Sequence, residues 1–179
     1  GVSNVEMIAC AEIDPARQDR FARKFPKAKR YTDWRELLDK EAKNFDTANV
    51  STPDHMHAPI AMSAMQLGKH VYVQKPLSHD VFESRKLREY AAANKLVTQM
   101  GIQVHSSQFY REAVELVHQG AIGKVTEVHT WSSKKWGDTS PRPNRKDKIP
   151  AGMDWNAWCG VATKNDFING YYHPGNWRR

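Results

Sequence analysis

The chain has 179 residues, 40% of them hydrophobic and 26% charged, which is typical of a globular protein with one domain and part of a second. No apolar run approaches the roughly 20 residues that span a bilayer, and no signal peptide opens the chain, so we expect no membrane span and a cytoplasmic or periplasmic location. The net charge of +7 suits an anionic substrate or cofactor. Because the basic residues are mixed with acids, and the dense cluster 142–148 lies in a proline-containing segment typical of a solvated loop, no nucleic-acid partner is expected.

Strand and helix patterns alternate from the start of the chain. The near-continuous apolar run VEMIACAEI (5–13) predicts a parallel strand buried on both faces. Asp14 and Pro15 then provide an N-cap and a first-turn proline for a helix that carries Phe21 and Phe25 on one face. The same reasoning predicts a short strand at 29–31, a helix opened by Thr32-Asp33-Trp34 with Leu37 and Leu38 facing inward, and a buried strand at 45–51.

The alternation continues to about residue 120. We expect a helix from Pro53-Asp54 to Gly68, a strand at 70–74, a helix capped by Ser78 and ending near Ala93, a strand at 96–100, and a helix capped by Ser106 or Ser107 and ending near Gly120. Residues 1–120 therefore predict a partial dinucleotide-binding domain of the α/β class, built on a doubly wound, Rossmann-type parallel sheet.

A different pattern begins at about residue 121. Residues 124–136 are β-branched with polar alternation, which predicts a longer strand with one face toward water. After residue 137 regular patterning stops, and the segment is rich in Trp, Pro, Gly and Asn. Residues 121–179 are therefore expected to begin a C-terminal substrate or oligomerisation domain of mixed α and β structure, of the α+β kind.

The cysteines and histidines do not predict a metal site. Cys10 lies in an apolar run as a small core residue, and Cys159 is far from it in sequence, so neither a disulfide framework nor a metal cluster is indicated. His55 and His57 diverge on a helix because they are two residues apart, and no acid or cysteine completes a ligand set. His55 is equally compatible with a surface position and with a contact to a cofactor or substrate.

Polar side chains follow the carboxyl ends of successive predicted strands, where a doubly wound sheet binds its ligands. Glu12 follows the first strand, His55 the strand at 45–51, Lys75 the strand at 70–74, and Gln103 the strand at 96–100. An acid at position 12 can bind ribose hydroxyls and would repel a 2′-phosphate, which favours NAD over NADP. The plain helix N-cap interpretation fits Asp14 but not Glu12, which lies too early in the chain.

The stretch STPDHMHAPIAMSAMQLGKHVYVQKPLS (51–78) resembles the nucleotide-binding domain of the Gfo/Idh/MocA oxidoreductases, whose hallmark is Glu-Lys-Pro after a strand. The similarity continues through GIQVHSSQFYREAVELVHQGAIGKVTEVHTW (101–131), IPAGMDWNAWCG (149–160) and YYHPGNWRR (171–179). It covers essentially the whole chain and implies an NAD(P)-dependent enzyme acting on a sugar or cyclitol-like substrate. It also implies a homo-oligomer for the full-length protein.

The resemblance implies roles for particular residues. Lys75 matches the motif lysine, which is catalytic or substrate-binding beside the nicotinamide. The implied cofactor-binding residues are Glu12, Ser51, Thr52, Pro53, His55, Gln74 and Gln103. The implied substrate-binding residues are Trp155, Trp158, Tyr172, His173, Trp177 and Arg178, and flat aromatic rings do stack on the apolar C–H faces of sugars. Core packing of the second domain is the alternative for each tryptophan.

The sequence departs from the family pattern in three ways. Gln74 stands where the motif has glutamate, so a neutral amide supplies no negative charge to hold Lys75 protonated. No G-x-G-x-x-G occurs, although the family carries it in the turn after a preceding central strand. The family's later aspartate and histidine, its usual acid–base pair, have no counterpart before NWRR.

These departures predict a chain truncated at both ends relative to the family. In strand order 3-2-1-4-5-6 the absent strand is central, so the strands on its two sides would carry unpaired backbone groups. We expect the isolated chain to be inactive and to bind NAD poorly; calorimetry showing micromolar NAD binding to a monomer of these 179 residues would contradict this.

Three functional readings follow from the sequence. The leading one is an NAD-dependent oxidoreductase in which Lys75 holds or deprotonates a substrate hydroxyl during hydride transfer. The second is an NAD-dependent glycoside hydrolase of the same family, which would use transient oxidation without net redox change. The third is a sugar- or nucleotide-binding module without catalysis, which Gln74 and the absent acid–base pair favour.

Overall fold

The computed structural model describes residues 4–133 and 140–172. These residues contain five short strands and six α-helices. The strands are β1 (Ala9–Ala11), β2 (Lys29–Tyr31), β3 (Thr47–Val50), β4 (His70–Gln74) and β5 (Thr98–Gly101). The helices are α1 (Pro15–Lys24), α2 (Trp34–Glu41), α3 (His57–Gln66), α4 (Val81–Ala93), α5 (Gln108–His118) and α6 (Trp155–Cys159). Single turns of 3₁₀ helix at Asp54–Met56 and Val104–Ser106 precede α3 and α5.

The strands are all parallel and form two separate sheets. β1 pairs with β2 in one sheet, and β3, β4 and β5 lie side by side in that order in the other. Helices connect successive strands, as parallel pairing requires. This confirms the predicted α/β, Rossmann-type architecture. β1 and β3 belong to different sheets and do not pair with each other.

The main hydrophobic core lies between the three-stranded sheet and helices α2, α3 and α4. α3 is its centre, with Ala61 and Ala64 fully buried against Val71 and Val73 of β4. Small residues on this face let the helix approach the sheet closely. α2 packs against β1 and also contributes Leu38 to the same core, so it connects the two sheets.

Aspartate side chains begin four of the helices, because the first backbone N–H groups of a helix have no partner within it. Asp14 accepts hydrogen bonds from the N–H groups of Ala16 and Arg17, as predicted. Asp33 and Asp154 cap α2 and α6 in the same way. The prediction that Ser78 caps α4 is wrong. Asp80 is the cap, and it accepts from the N–H of Glu83.

Ser78 is instead buried before α4. Its hydroxyl lies 2.6 Å from both the Asp80 carbonyl and the Ser84 hydroxyl. It therefore fixes the turn that leads from β4 into α4. Ser107 occupies the N-cap position of α5, as predicted, but its side chain makes no capping hydrogen bond.

A buried carboxylate joins β2 to α2. Glu41 is 2% exposed and accepts hydrogen bonds from Lys29, Tyr31 and Asn44. The Lys29 ammonium, followed by the Tyr31 hydroxyl and the Asn44 amide, lowers the pKa of Glu41 to about 2. The same hydrogen bond raises the pKa of Tyr31 to about 12, because removing its proton would place two negative charges together.

The predicted strand at 124–136 is wrong over the residues described. Residues 124–133 form no strand and are exposed, with Trp131 87% accessible. A strand in water needs a neighbouring strand for its backbone N–H and C=O groups, and no described segment pairs with this one. Residues 134–136 lie outside the described part of the chain.

Candidate functional site

The carboxyl ends of β3, β4 and β5 are level at one edge of the three-stranded sheet. Val50 is paired with Val73, which is paired with Met100. The next residues along the three strands are therefore Ser51, Gln74 and Gly101, in one row. Because parallel strands all end at this edge, the polar residues that follow them are brought to one side of the domain.

Lys75 lies at this edge directly after β4 and is half-buried. Its backbone N–H donates to Oε1 of the preceding Gln74 at 2.8 Å, and its peptide bond to Pro76 is cis. Within residues 4–133 and 140–172, no acidic side chain forms an ion pair with the Lys75 ammonium. The neutral amide of Gln74 thus contacts the backbone of Lys75.

Gly101 makes room for the Gln74 side chain. A Cβ at position 101 would lie 2.6 Å from Gln74 Oε1 and 2.7 Å from the Tyr72 hydroxyl, which is closer than nonbonded atoms approach. The glycine therefore allows the Gln74 amide to fold across the neighbouring strand and reach the Lys75 N–H. Sequence reasoning did not identify this role.

His57 joins the loop after β3 to the turn after β4, which contains the lysine. It is the first residue of α3 and is 0% exposed. Its Nε2 lies 2.8 Å from the Thr52 carbonyl oxygen, and its Nδ1 lies 2.6 Å from the Pro76 carbonyl oxygen. The sequence does contain a signal for its burial, because His57 is on the helix face that carries Ile60, Ala61 and Ala64. Considering His57 only as a metal ligand missed this role.

Glu12 follows β1 in the other sheet. Its Oε1 accepts from the backbone N–H of Asp14 at 3.0 Å, and its backbone carbonyl is 3.4 Å from the Gln18 amide nitrogen. The Glu12 N–H donates to the Tyr31 carbonyl. These bonds fix the turn into α1, and among the described residues they engage only one carboxylate oxygen of Glu12.

The other predicted cofactor residues lie in the loops after β3 and β5. Ser51 donates its hydroxyl to Asn49 Oδ1 at 2.9 Å, and Thr52 uses its backbone carbonyl to bind His57. Pro53 precedes the 3₁₀ turn that contains His55. Gln103 is exposed at the start of the 3₁₀ turn after β5.

His55 faces the C-terminal segment. Its Nε2 lies 3.3 Å from the Trp158 carbonyl, and its ring centre is 6.0 Å from that of Trp158. Burial disfavours the charged imidazolium and lowers the pKa of His55 below its ordinary value, although the hydrogen bond to Trp158 opposes this. The residue is therefore part of the contact between the nucleotide-binding domain and α6.

An aromatic cluster forms around α6. Trp155 and Trp158 stack with ring centres 4.7 Å apart, and Tyr172 lies 6.5 Å from Trp158. Trp155 is 5% exposed and donates its indole N–H to the Asn165 carbonyl. Trp155 thus packs as the buried base of the cluster, whereas Trp158 and Tyr172 are half-buried and border an open cavity of about 190 Å³. His55, Thr163 and Asn165 also line this cavity.

Gly160 lets α6 pack closely on the loop after β3. A Cβ at this position would overlap Met56 Sδ and lie 3.0 Å from Met56 Cε. Gly160 also has φ of 56°, in the region that side chains disfavour. Of the remaining predicted substrate residues, His173, Trp177 and Arg178 lie outside the described part of the chain.

The described residues contain no group of three or more His, Cys, Asp or Glu side chains placed to hold a metal ion. None of the helices described is both long enough and apolar enough to cross a membrane.

A parallel α/β domain with polar side chains gathered at the carboxyl ends of its strands is a nucleotide-binding domain of the Rossmann type. A sequence model described as "Oxidoreductase family, NAD-binding Rossmann fold" matches residues 2–102, more than half of the chain. The chain belongs to this family, the Gfo/Idh/MocA oxidoreductases.

Relatives of known activity match at low identity. The chain is 28% identical over 147 residues to levoglucosan dehydrogenase of Pseudarthrobacter phenanthrenivorans, covering 79% of this chain and 36% of that protein. It is 30% identical over 119 residues to an alpha-N-acetylgalactosaminidase of Shewanella oneidensis, covering 64% of this chain and 26% of that protein. The chain thus spans about a third of the length of the curated relatives it matches.

A solved structure shows the same fold. Scyllo-inositol dehydrogenase from Lactobacillus casei, with bound NAD(H) and scyllo-inositol, superposes with a TM-score of 0.60 at 25% identity. The superposition covers 65% of this chain and 34% of that one.

Proposed function

We propose that this chain forms the cofactor side of an active site in an NAD-dependent oxidoreductase, which transfers hydride to or from a sugar or cyclitol-like substrate. The observation that carries the proposal is the position of Lys75. It is half-buried at the carboxyl edge of the sheet, and its backbone is held by Gln74. No described acid neutralises its ammonium, which leaves that group available for a ligand oxygen.

Lys75 is proposed to bind the reacting hydroxyl group of the substrate and to help remove its proton. A lysine presents up to three N–H donors on a flexible stem, and its neutral form can accept a proton. In the reverse direction the ammonium would donate to the developing alkoxide.

The residues that follow the strands of both sheets are proposed to hold a dinucleotide. Glu12, after β1, has one carboxylate oxygen without a hydrogen bond to any described residue, and this oxygen is proposed to accept hydrogen bonds from the hydroxyls of a ribose. Its negative charge would repel a 2′-phosphate, so NAD is proposed over NADP. Ser51, Thr52, Pro53, His55, Gln74 and Gln103 are proposed to line the remaining length of the cofactor. When bound, the nicotinamide supplies the hydride acceptor or donor.

The aromatic cluster is the proposed substrate side. Trp158 and Tyr172 border the cavity beside His55, and Trp155 supports them from beneath. Ring faces of this kind contact the C–H faces of sugars and cyclitols, while neighbouring polar groups bind the hydroxyls. His173, Trp177 and Arg178 are assigned to the same side from the family resemblance alone.

The test is a spectrophotometric assay of the full-length protein with NAD and a panel of inositols, aldoses and anhydrosugars. Appearance of NADH with one of these substrates supports the proposal. The variant Lys75→Ala should lower kcat by about 10²-fold or more, whereas the exposed-lysine control Lys27→Ala should match the wild type. Undiminished turnover by Lys75→Ala would refute the role given to this lysine.

A glycoside hydrolase that uses NAD is the second candidate, and the similarity to the Shewanella oneidensis enzyme favours it. The two candidates differ in their products. An oxidoreductase accumulates NADH in proportion to turnover, whereas the hydrolase would release a sugar from a glycoside while the NAD pool stays oxidised. A protein that binds sugar and NAD with no turnover, and whose affinity is unchanged in Lys75→Ala, would be a non-catalytic binding module.

A further inference from the structure

The ring of His57 lies between two loops that come from different strands. Thr52 belongs to the loop after β3, which is proposed to line the cofactor. Pro76 belongs to the turn after β4 and follows Lys75 directly. Each loop presents one backbone carbonyl oxygen to the ring, at 2.8 Å and 2.6 Å. These distances leave no space for an intervening water, so both contacts are direct.

The hydrogen-bond count at this ring is unusual. A carbonyl oxygen only accepts, and a neutral imidazole carries one N–H donor and one acceptor nitrogen. A ring with a proton on a single nitrogen would therefore set a lone pair against one of the two carbonyl oxygens. In a fully buried position such an unmatched pair is destabilising. Both contacts are satisfied together only when both ring nitrogens carry protons.

We propose that His57 is a positioning residue that donates from both ring nitrogens and holds the β3 loop and the Lys75–Pro76 turn at a fixed separation. This pair of contacts, called here the His57 tie, acts on Lys75 through the carbonyl group of Pro76. Gln74 fixes the N–H of Lys75, so the backbone is held at the lysine itself and at the residue after it. Its side chain then starts from a defined point at the sheet edge.

The chemical importance of this positioning rests on the proposed function of Lys75. A general base must lie within about 3 Å of the proton it removes, and displacement of about 1 Å can lower a rate about 10²-fold. The tie itself is a property of the folded chain. It can therefore be tested without any assumption about the reaction.

The first measurement is made on the wild-type protein. Two-dimensional ¹⁵N–¹H NMR of the full-length protein at pH 7 reports which ring nitrogens carry protons, and the His57 signals are assigned by their loss in His57→Gln. Two slowly exchanging ring N–H protons from His57 are expected. Burial and the N-terminus of α3 both oppose a second proton, which makes this count a strict test. A single ring N–H would overturn the two-nitrogen tie.

The second measurement compares variants at His57. His57→Phe keeps a flat ring but has no donor, and His57→Gln keeps N–H donors on a flexible stem. In His57→Phe, amide hydrogen exchange at Lys75 and Leu77 should become about tenfold faster or more, because a tenfold change corresponds to the loss of one to two hydrogen bonds. In His57→Gln, the exchange rates should return partly toward those of the wild type. The exposed-histidine control His118→Gln should leave exchange unchanged. Equal exchange in all four proteins would refute the tie.

Activity separates the positioning role from simple stability. In the folded variants, kcat should fall about tenfold in His57→Phe and less in His57→Gln, with little change in KM for NAD. If the proposed function is wrong, the wild type itself shows no turnover, while the ring protons and amide exchange still decide whether the tie exists. Unchanged kcat in His57→Phe alongside faster exchange would show that the tie does not position Lys75.

Discussion

Replacing Gly160 by alanine should detach α6 from the nucleotide-binding domain. The added Cβ would overlap Met56 Sδ and lie 3.0 Å from Cε and 3.2 Å from Cγ. Met56 is 6% exposed within the main core, so its side chain has little space to move. The backbone φ of 56° adds strain for any residue with a side chain.

Two costs contribute to the expected loss of stability. Overpacking of a buried site costs about 1–3 kcal/mol, and a side chain in the left-handed region costs about 1–2 kcal/mol. We therefore expect Gly160→Ala to lower the free energy of unfolding by about 2–5 kcal/mol, from the sum of these two effects. Gly120→Ala is the matched control, because Gly120 has φ of 83° and no atom within 4 Å of an added Cβ.

The assay is urea denaturation followed by tryptophan fluorescence and by far-ultraviolet circular dichroism. Both alanine variants place a side chain at positive φ and share the change in the entropy of the unfolded chain, so the overlap with Met56 should be the main difference between them. If only α6 is released, the fluorescence of Trp155 and Trp158 should shift to longer wavelength while the dichroism persists. Equal midpoints for the two variants, with unchanged emission, would refute the packing argument.

Three more predictions concern the pKa shifts and the sheet edge. The pKa of Glu41 falls from 4.5 to about 2 on folding, so its contribution to stability is present above pH 4.5 and is lost as the pH drops toward 2. The midpoint temperature of thermal unfolding should therefore depend less on pH, over this acid range, in Glu41→Gln than in the wild type. Asp39→Asn, at an exposed neighbouring position, should keep the wild-type pH dependence. The pKa of His55 is lowered from 6.5 by burial, so the folded state favours the neutral ring and loses stability as the pH falls below 6.5. As the pH is lowered from 8 to 5, tryptophan emission should shift to longer wavelength because α6 loosens. Emission that does not change with pH would contradict this. Gly101→Ala should displace the Gln74 amide and lower the free energy of unfolding by about 1–3 kcal/mol, as measured by urea denaturation. If the variant keeps the wild-type denaturation midpoint and the wild-type exchange rate of the Lys75 amide, glycine is not needed at position 101.

Much of the fold followed from local sequence signals. The predicted strands at 29–31 and 70–74 match the structure, because β-forming residues are bounded there by turn residues. Asp14 caps α1 as predicted, since capping depends on the next three residues only. The polar residues after β3, β4 and β5 could also be placed at one edge, because parallel strands share a direction, whereas Glu12 follows β1 in the other sheet. The family resemblance of 51–78 agrees with the family match over residues 2–102.

Other features depend on residues distant in sequence and could not be predicted. The strand expected at 124–136 had suitable residues, but a strand also needs a partner, and residues 124–133 have none among the described segments. The cap of α4 is, by contrast, a local feature: the Ser78 hydroxyl contacts Ser84, and Asp80 accepts from the N–H of Glu83 as the cap. The predicted site residues for cofactor and substrate stay predictions until ligands are bound.

The sequence by itself determined the order of strands and helices, the edge where polar residues collect, and Lys75 as the residue of interest, because these follow from local periodicity and from the direction of parallel strands. Tertiary structure alone showed that His57 joins two loops, that Gly101 admits the Gln74 amide, and that Gly160 packs on Met56. The physical reason is that each of these contacts joins segments separated along the chain. Their hydrogen bonds and steric limits exist only after the strands and helices have packed together.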